Sequence, residues 1–301
     1  MAGAVDTLAK LGPRLRGDDG NELTMTDKYC VIGNPIAHSK SPEIHAAFAA
    51  QTGQDIAYER RLAPLDGFAD TVKELVAAGY KGANVTVPFK LEAAAVATRL
   101  EERARLAGAV NTLRFEGGDI VGDNTDGPGL VADIVRNAGV PLAGKRVLLL
   151  GAGGAARGVI LPFLQQGPAA IVIANRTRAT ADALVSHFAG HAAPGQVSAC
   201  GFEDIGKGVA GAFDVVVNAT SASLAAAMPP VPAAAFCQGT LALDMMYGKA
   251  PSPFMAFAAA HGAATRDGLG MLVEQAAEAF AGWRGVRPET TAVLERMRST
   301  L

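Results

Sequence analysis

Residues Lys145 to Leu150 lead through Val147-Leu148-Leu149-Leu150 straight into Gly151-Ala152-Gly153-Gly154-Ala155-Ala156. A short apolar run of this kind reads as a strand covered on both faces. The turn after it matches Gly-x-Gly-x-x-Ala. The first glycine permits a tight turn, the second lets backbone approach a pyrophosphate, and the small third residue allows close helix–strand packing. The helix that follows, carrying Val159 and Phe163, would offer free N–H groups to a phosphate. A glycine turn alone also serves any tight corner. Here it sits between an apolar strand and a helix, with a further apolar strand, Ile171 to Asn175, at suitable distance. The expectation is a dinucleotide-binding layer, continued by strands at Val197 to Cys200, Phe213 to Asn218 and Thr240 to Asp244.

At the end of the second strand, an NAD site usually places an Asp or Glu against the ribose. This chain has Asn175-Arg176-Thr177-Arg178 instead. Two guanidinium groups without a carboxylate suit the 2′-phosphate of NADP. The plainer reading is a solvated basic turn opening a helix.

The first half also alternates strands with amphipathic helices. Tyr29 to Gly33 reads as a strand, and Ser41 as a helix cap followed by Pro42, with Gly53 closing that helix. Asp55 to Arg60 is a second strand, Leu65 to Gly79 a helix, and Ala83 to Val87 a strand stopped by Pro88. Such alternation implies an α/β layer with a largely parallel sheet. The last sixty residues read as helical with no further strand pair, and are expected to pack back onto an earlier domain. Residues 1–27, with a Gly-, Arg- and Asp-rich stretch from Gly12 to Asn21, read as a flexible extension, and Met25 as a natural start of the folded unit.

The 27 basic and 29 acidic residues nearly balance, which gives no electrostatic reason to expect nucleic acid or an anionic membrane as partner. Small molecules are the expected partners. Cys30, Cys200 and Cys237 form no Cys-x-x-Cys pair, and the five histidines show no metal-ligand spacing, so neither a disulfide framework nor a metal site is expected. No run approaches the ~20 apolar residues of a bilayer span. The expected setting is the cytoplasm, as a monomer or homodimer.

In the first half, Asn34-Pro35-Ile36-Ala37-His38-Ser39-Lys40-Ser41-Pro42 sets two hydroxyls just before a helix, where a carboxylate could be held, although capping alone would explain Ser41. Asn84-Val85-Thr86-Val87-Pro88-Phe89-Lys90 puts a lysine past the end of a strand, where open α/β sheets bind ligands. Asn111-Thr112 and Gly122-Asp123-Asn124-Thr125-Asp126-Gly127 add amides and carboxylates, with Asp126 also a candidate cap for a helix starting near Pro128.

These segments, with Ala107 to Thr112, Gly151 to Arg157, Asn175 to Thr177, Asn218 to Ser221 and Asp267 to Gln275, occur in an order that closely resembles the shikimate dehydrogenase family from about Lys28 onward. The resemblance implies a substrate domain over 28–126, an NADP-binding Rossmann domain over 127–262, and helices over 263–301 that return to the first domain. It implies that Ser39 and Ser41 hold a substrate carboxylate, that Thr86, Asn111 and Gln275 bind ring hydroxyls, and that Tyr247 lies close to the substrate. Lys90 and Asp126 would be the catalytic pair. Gly151, Ala152, Gly153, Gly154, Ala155, Asn175, Arg176, Thr177 and Thr220 would hold the dinucleotide, with Met245 and Gly268 near its nicotinamide. Two features depart from the family: the extension has no counterpart, and a further expected arginine falls at Thr180, with Arg178 as a candidate substitute.

The implied reaction is reversible reduction of 3-dehydroshikimate to shikimate with NADP, in aromatic amino-acid biosynthesis. A charged lysine would stabilise an alkoxide, whereas a desolvated one would act as base. The sequence leaves both open. A quinate/shikimate dehydrogenase using NAD, or a non-catalytic NADPH-binding regulator on the same architecture, are the competing readings.

Overall fold

The computed structural model describes residues 26–209, 211–222 and 227–301. The extension expected over 1–27 therefore lies outside the described residues, except for Thr26 and Asp27.

The first half runs β1 (Asp27–Gly33), α1 (Ser41–Thr52), β2 (Ile56–Leu62), α2 (Phe68–Ala77), β3 (Gly82–Val85), α3 (Lys90–Val96), β4 (Arg99–Leu100), α4 (Glu102–Ala107), β5 (Thr112–Glu116) and β6 (Asp119–Asp123). Its sheet has the order β2-β1-β3-β5-β6-β4. The expected parallel pairing holds for β1 with β2 and β3, and for β4 with β6. β5 departs from it by pairing antiparallel with both β3 and β6. The cause is local. Gly117 and Gly118 have φ values of +58° and +95°, which suits a two-residue hairpin turn between the paired Glu116 and Asp119. This hairpin brings the end of β3, the start of β5 and the end of β6 to one edge: Thr112 is opposite both Asn84 and Asp123.

The second half runs α5 (Asp126–Ala132), β7 (Arg146–Leu150), α6 (Gly154–Leu164), β8 (Ala170–Ala174), α7 (Arg178–Phe188), β9 (Val197–Cys200), β10 (Val215–Asn218), β11 (Leu241–Asp244), α8 (Pro253–Ala260) and β12 (Ala264–Arg266). All neighbours in its sheet, ordered β12-β11-β10-β7-β8-β9, are parallel. Val147, Leu148, Leu149 and Leu150 are fully buried, with apolar clusters on either face of the sheet, as a doubly covered strand requires. β12 is a correction: a three-residue strand adds to β11 within the tail read as helical, just past the boundary expected at 262.

The chain ends with α9 (Leu269–Arg284) and α10 (Thr291–Ser299). Leu269, Val273, Ala276 and Phe280 of α9 share a core with Ile44 and Phe48 of α1 and with Val293 and Met297 of α10, so these helices do return to the first half. α5 packs against both α6 and α9. At these contacts it presents glycine: a Cβ on Gly127 would meet the Gly158 carbonyl oxygen at 2.4 Å, and one on Gly129 would meet the Gln275 backbone nitrogen at 2.6 Å.

His45 of α1 is fully buried, its ring stacked on Tyr58 at 4.2 Å and close to Phe48, Phe280 and Trp283. Neither ring nitrogen has a hydrogen-bond partner among the described residues. Burial pushes the imidazole down to about 3, outweighing the opposing effect of the nearby Asn84 amide. An unfolded histidine titrates near ~6.5, so below that the unfolded chain binds a proton that the folded chain refuses. Stability from this group is complete above about pH 6.5 and falls as pH drops toward 3. Between about pH 7 and about pH 5 the loss is about 2 kcal/mol, and denaturant titrations of wild type and His45→Phe should show it only in wild type.

Candidate active site

A cavity of about 350 Å³ opens where the ends of β1 and β3 face the Met245–Gly268 region and α9. Ser39, Ser41, Thr86, Lys90, Asn111, Asp126, Tyr247 and Gln275 all line it, and so do Met245 and Gly268. Its size suits a small ring compound.

Lys90 is the first residue of α3 and Asp126 the first of α5. Lys90 Nζ donates to Asp126 Oδ2 at 2.5 Å, with the side chains about a third and a fifth exposed (33% and 21%). Asp126 is not a helix cap, since Thr125 holds that position. The other oxygen of Asp126 accepts from Asn111 Nδ2 at 2.8 Å. The Asn111 amide also comes within 3.3 Å of Gln275 Oε1, so residues from β5's start, α5 and α9 meet at one point.

The sequence places Ser41 at a helix cap, and the structure corrects this. Lys40 holds the cap position and Ser41 begins the helix. The Ser41 N–H is met by Ser39 Oγ at 3.3 Å, so the hydroxyl that serves the helix end comes from two residues earlier. Ser39 Oγ also donates to Ser41 Oγ at 3.2 Å, setting the two hydroxyls side by side on the cavity wall. Opposite, partial burial, aided by the Asp267 carboxylate, raises the Tyr247 phenol, which therefore keeps its proton across the neutral range.

A second cavity of about 670 Å³ follows the C-terminal edge of the other sheet. Gly151, Ala152, Gly153, Gly154, Ala155, Asn175, Arg176, Thr177 and Thr220 line it. Gly151 has φ +101°, a conformation that favours glycine, and a Cβ there would press on Thr220 at 3.1 Å. At Gly153 and Gly154, where α6 starts, a Cβ would meet nothing within 4 Å, so their backbone stands open to the cleft. This cradle, ending at the Arg176 guanidinium, fits a dinucleotide phosphate chain.

Of the cofactor candidates, Met245 and Gly268 line the first cavity instead, and Arg178 lines neither. It begins α7, its side chain is 61% exposed, and its nearest carboxylates are Asp182 and Asp204, each at 3.7 Å. Asp182 stands one helical turn on, at the i+4 position. Phe202, Met228, Pro229 and Pro230 form a wall of the cleft that the sequence reading missed. Phe202 comes from a short 3-10 turn after β9 and Met228-Pro229-Pro230 from one loop after β10, and neither carries a motif. Asn84, also unassigned, lines the first cavity.

Three family descriptions match in order: the shikimate dehydrogenase substrate binding domain over residues 31–113, shikimate / quinate 5-dehydrogenase over 133–228, and the shikimate 5′-dehydrogenase C-terminal domain over 268–298. The chain is 64% identical over 278 residues to a shikimate dehydrogenase (NADP(+)) of Janthinobacterium sp. (strain Marseille), covering 92% of this chain and 99% of that protein. Among solved structures it is similar to an Ael1 enzyme from Pseudomonas putida, at 50% identity and TM-score 0.85, with 90% of this chain and 97% of the other covered. It is also similar to the shikimate 5-dehydrogenase of Thermus thermophilus, solved with NADP(H) and shikimate, at 33% identity and TM-score 0.78, covering 91% and 100%. With three family descriptions matched in order and a relative 64% identical over nine-tenths of its length, the chain belongs to the shikimate dehydrogenase family.

Proposed function

We propose that this chain is an NADP-dependent shikimate dehydrogenase that reversibly reduces 3-dehydroshikimate to shikimate. The observation that carries the reading is the Lys90–Asp126 pair, held in one small cavity with two adjacent serine hydroxyls and bordered by Met245 and Gly268. NADP, when bound, supplies or accepts the hydride at the reacting ring carbon. In the reductive direction the carbonyl oxygen gains negative charge and needs a proton. Lys90 Nζ is the donor for that oxygen, and Asp126 Oδ2 anchors the ammonium. In oxidation the hydroxyl proton returns along the same path.

Ser39 and Ser41 hold the ring carboxylate, while Thr86, Asn111 and Gln275 take ring hydroxyls and Tyr247 closes the cavity. Arg176 and Thr177 bind the 2′-phosphate side of the dinucleotide, and Gly151 to Ala155 its pyrophosphate. The position of Arg176 on the cleft supports NADP over NAD. A cytoplasmic setting belongs to the same reading, supported by three unpaired cysteines.

The test is reduced-nicotinamide absorbance with shikimate and with quinate, each with NADP and NAD. Efficient turnover of shikimate with NADP is the expected result, and none with either acid would sink the reading in favour of a non-catalytic binder. Ser39→Ala and Ser41→Ala should each raise KM for shikimate with little change in kcat, because carboxylate bonds are present in ground and transition states alike. Unchanged KM in both would leave these serines a purely local role at the start of α1.

A further inference from the structure

A chain of polar groups, two of them in the cavity wall, connects the outer strand β2 to Asp126. Tyr58 on β2 donates from its hydroxyl to Asn84 Oδ1 at 2.7 Å. Asn84 Nδ2 reaches the Asn111 carbonyl oxygen at 3.3 Å and Thr112 Oγ1 at 3.1 Å. Thr112 Oγ1 donates to Asn111 Oδ1 at 3.0 Å, and Asn111 Nδ2 donates to Asp126 Oδ1 at 2.8 Å. Asn84, Asn111 and Thr112 are 6%, 3% and 2% exposed, so water does not substitute for these bonds.

The direction of the chain is fixed by backbone groups, whose roles are unambiguous. A carbonyl oxygen only accepts, so the Asn84 atom facing the Asn111 carbonyl is its NH2 group. Its oxygen then faces Tyr58. An N–H only donates, so the Asn111 atom facing the Thr125 N–H at 2.8 Å is its oxygen. Its NH2 group then faces Asp126. Thr112 is the side chain between these two amides: its hydroxyl oxygen accepts from Asn84, and its own proton is directed to Asn111 Oδ1 at 3.0 Å, nearer than Thr125 Oγ1 at 3.3 Å. Burial keeps the Tyr58 phenol far above its ordinary range and hence protonated at the head of the chain.

We infer that Thr112 is a positioning residue for the reaction, acting with the Thr125 N–H and hydroxyl to hold the Asn111 amide so that a donor faces the Asp126 carboxylate. A flipped Asn111 would set its oxygen against Asp126 Oδ1, acceptor to acceptor, and would pull the carboxylate away from Lys90. Thr112 does not line the cavity, and its hydroxyl reaches Asp126 through Asn111. The inference rests on the shikimate dehydrogenase reading.

The experiment compares Thr112→Val, nearly the same shape without a hydroxyl, with Thr112→Ser, which restores the hydroxyl. In Thr112→Val kcat should fall about 10-fold, the scale of one misplaced buried hydrogen bond, with KM for NADP unchanged within about twofold. Thr112→Ser should recover kcat to within about threefold of wild type. A Thr112→Val kcat within about twofold of wild type overturns the inference, as does a Thr112→Ser variant no more active than Thr112→Val. If Thr112→Val does not fold, Tyr58→Phe decides: removal of the first proton should lower kcat at constant KM for NADP, and an unchanged kcat overturns the inference. Wild-type turnover of shikimate is measured in the same series. Its absence would defeat the parent reading, whereas a wild-type rate retained by the variants would defeat only this one.

Discussion

Lys90→Ala is expected to lower kcat by at least roughly 100-fold, with a smaller change in KM for shikimate, as follows when a positioned proton donor is lost. The side chain stands in the cavity with its Nζ against Asp126. Asp126→Asn should cost kcat on a similar scale, since an amide neither neutralises the ammonium nor anchors it as a carboxylate does. Steady-state rates at saturating NADP, with shikimate varied, separate the two parameters. Near-normal turnover in either variant would remove that residue from the chemistry. Circular dichroism of both variants separates a lost reaction step from a lost fold.

The second large effect concerns the cofactor. Arg176 is exposed on the rim of the glycine-lined cleft, beyond β8, and no acidic residue stands beside it in the Asn175-Arg176-Thr177 stretch. A charge-assisted bond to a phosphate is worth about 1.5–3 kcal/mol, so Arg176→Ala should weaken use of NADP by roughly 10- to 150-fold. NAD, without the 2′-phosphate, should be nearly unaffected. Because the group is exposed, the loss should shrink at physiological ionic strength compared with low salt. Arg178→Ala should leave the NADP preference intact, since that side chain lies toward Asp182 and Asp204. The measurement is kcat/KM for both dinucleotides in wild type and both variants. Equal losses for NAD and NADP in Arg176→Ala would reduce Arg176 to a surface charge.

The centre of the second sheet was legible because β7, β8, β10 and β11 are short, largely apolar runs, the pattern imposed by helices on both faces, whereas the edge strand β12, Ala264-Thr265-Arg266, is mostly polar and was not. β5 and β6 were not read as strands. Thr112-Leu113-Arg114-Phe115-Glu116 mixes polarity as a one-sided hairpin does, yet Gly117-Gly118 was a usable signal for the turn. In the site, local motifs identified most of the lining residues, but not their pairing. Lys90 and Asp126 are 36 positions apart, and they meet because the hairpin reverses the chain between them. Arg176 and Arg178 look alike in sequence, but Arg176 lines the cleft from the loop before α7, while Arg178, the first residue of α7, lies near Asp182 and Asp204. The apolar wall at Phe202, Met228, Pro229 and Pro230 had no local signature at all, being assembled only by tertiary folding.

The glycine contacts of α5 bear on how freely sequences of this kind can drift. A side-chain interface accommodates change through rotamers and compensating substitutions, so its spacing wanders as residues are exchanged. At Gly127 and Gly129 the neighbouring surfaces include main chain, which has no rotamers to adjust. The separation of Asp126 from the nucleotide-side helix and from Gln275 is thus set by atomic radii and is indifferent to most exchanges in the surrounding core. Substitutions can accumulate around this seam without altering the gap across which the reaction runs, while a single added methyl group within it would wedge the two clefts apart together.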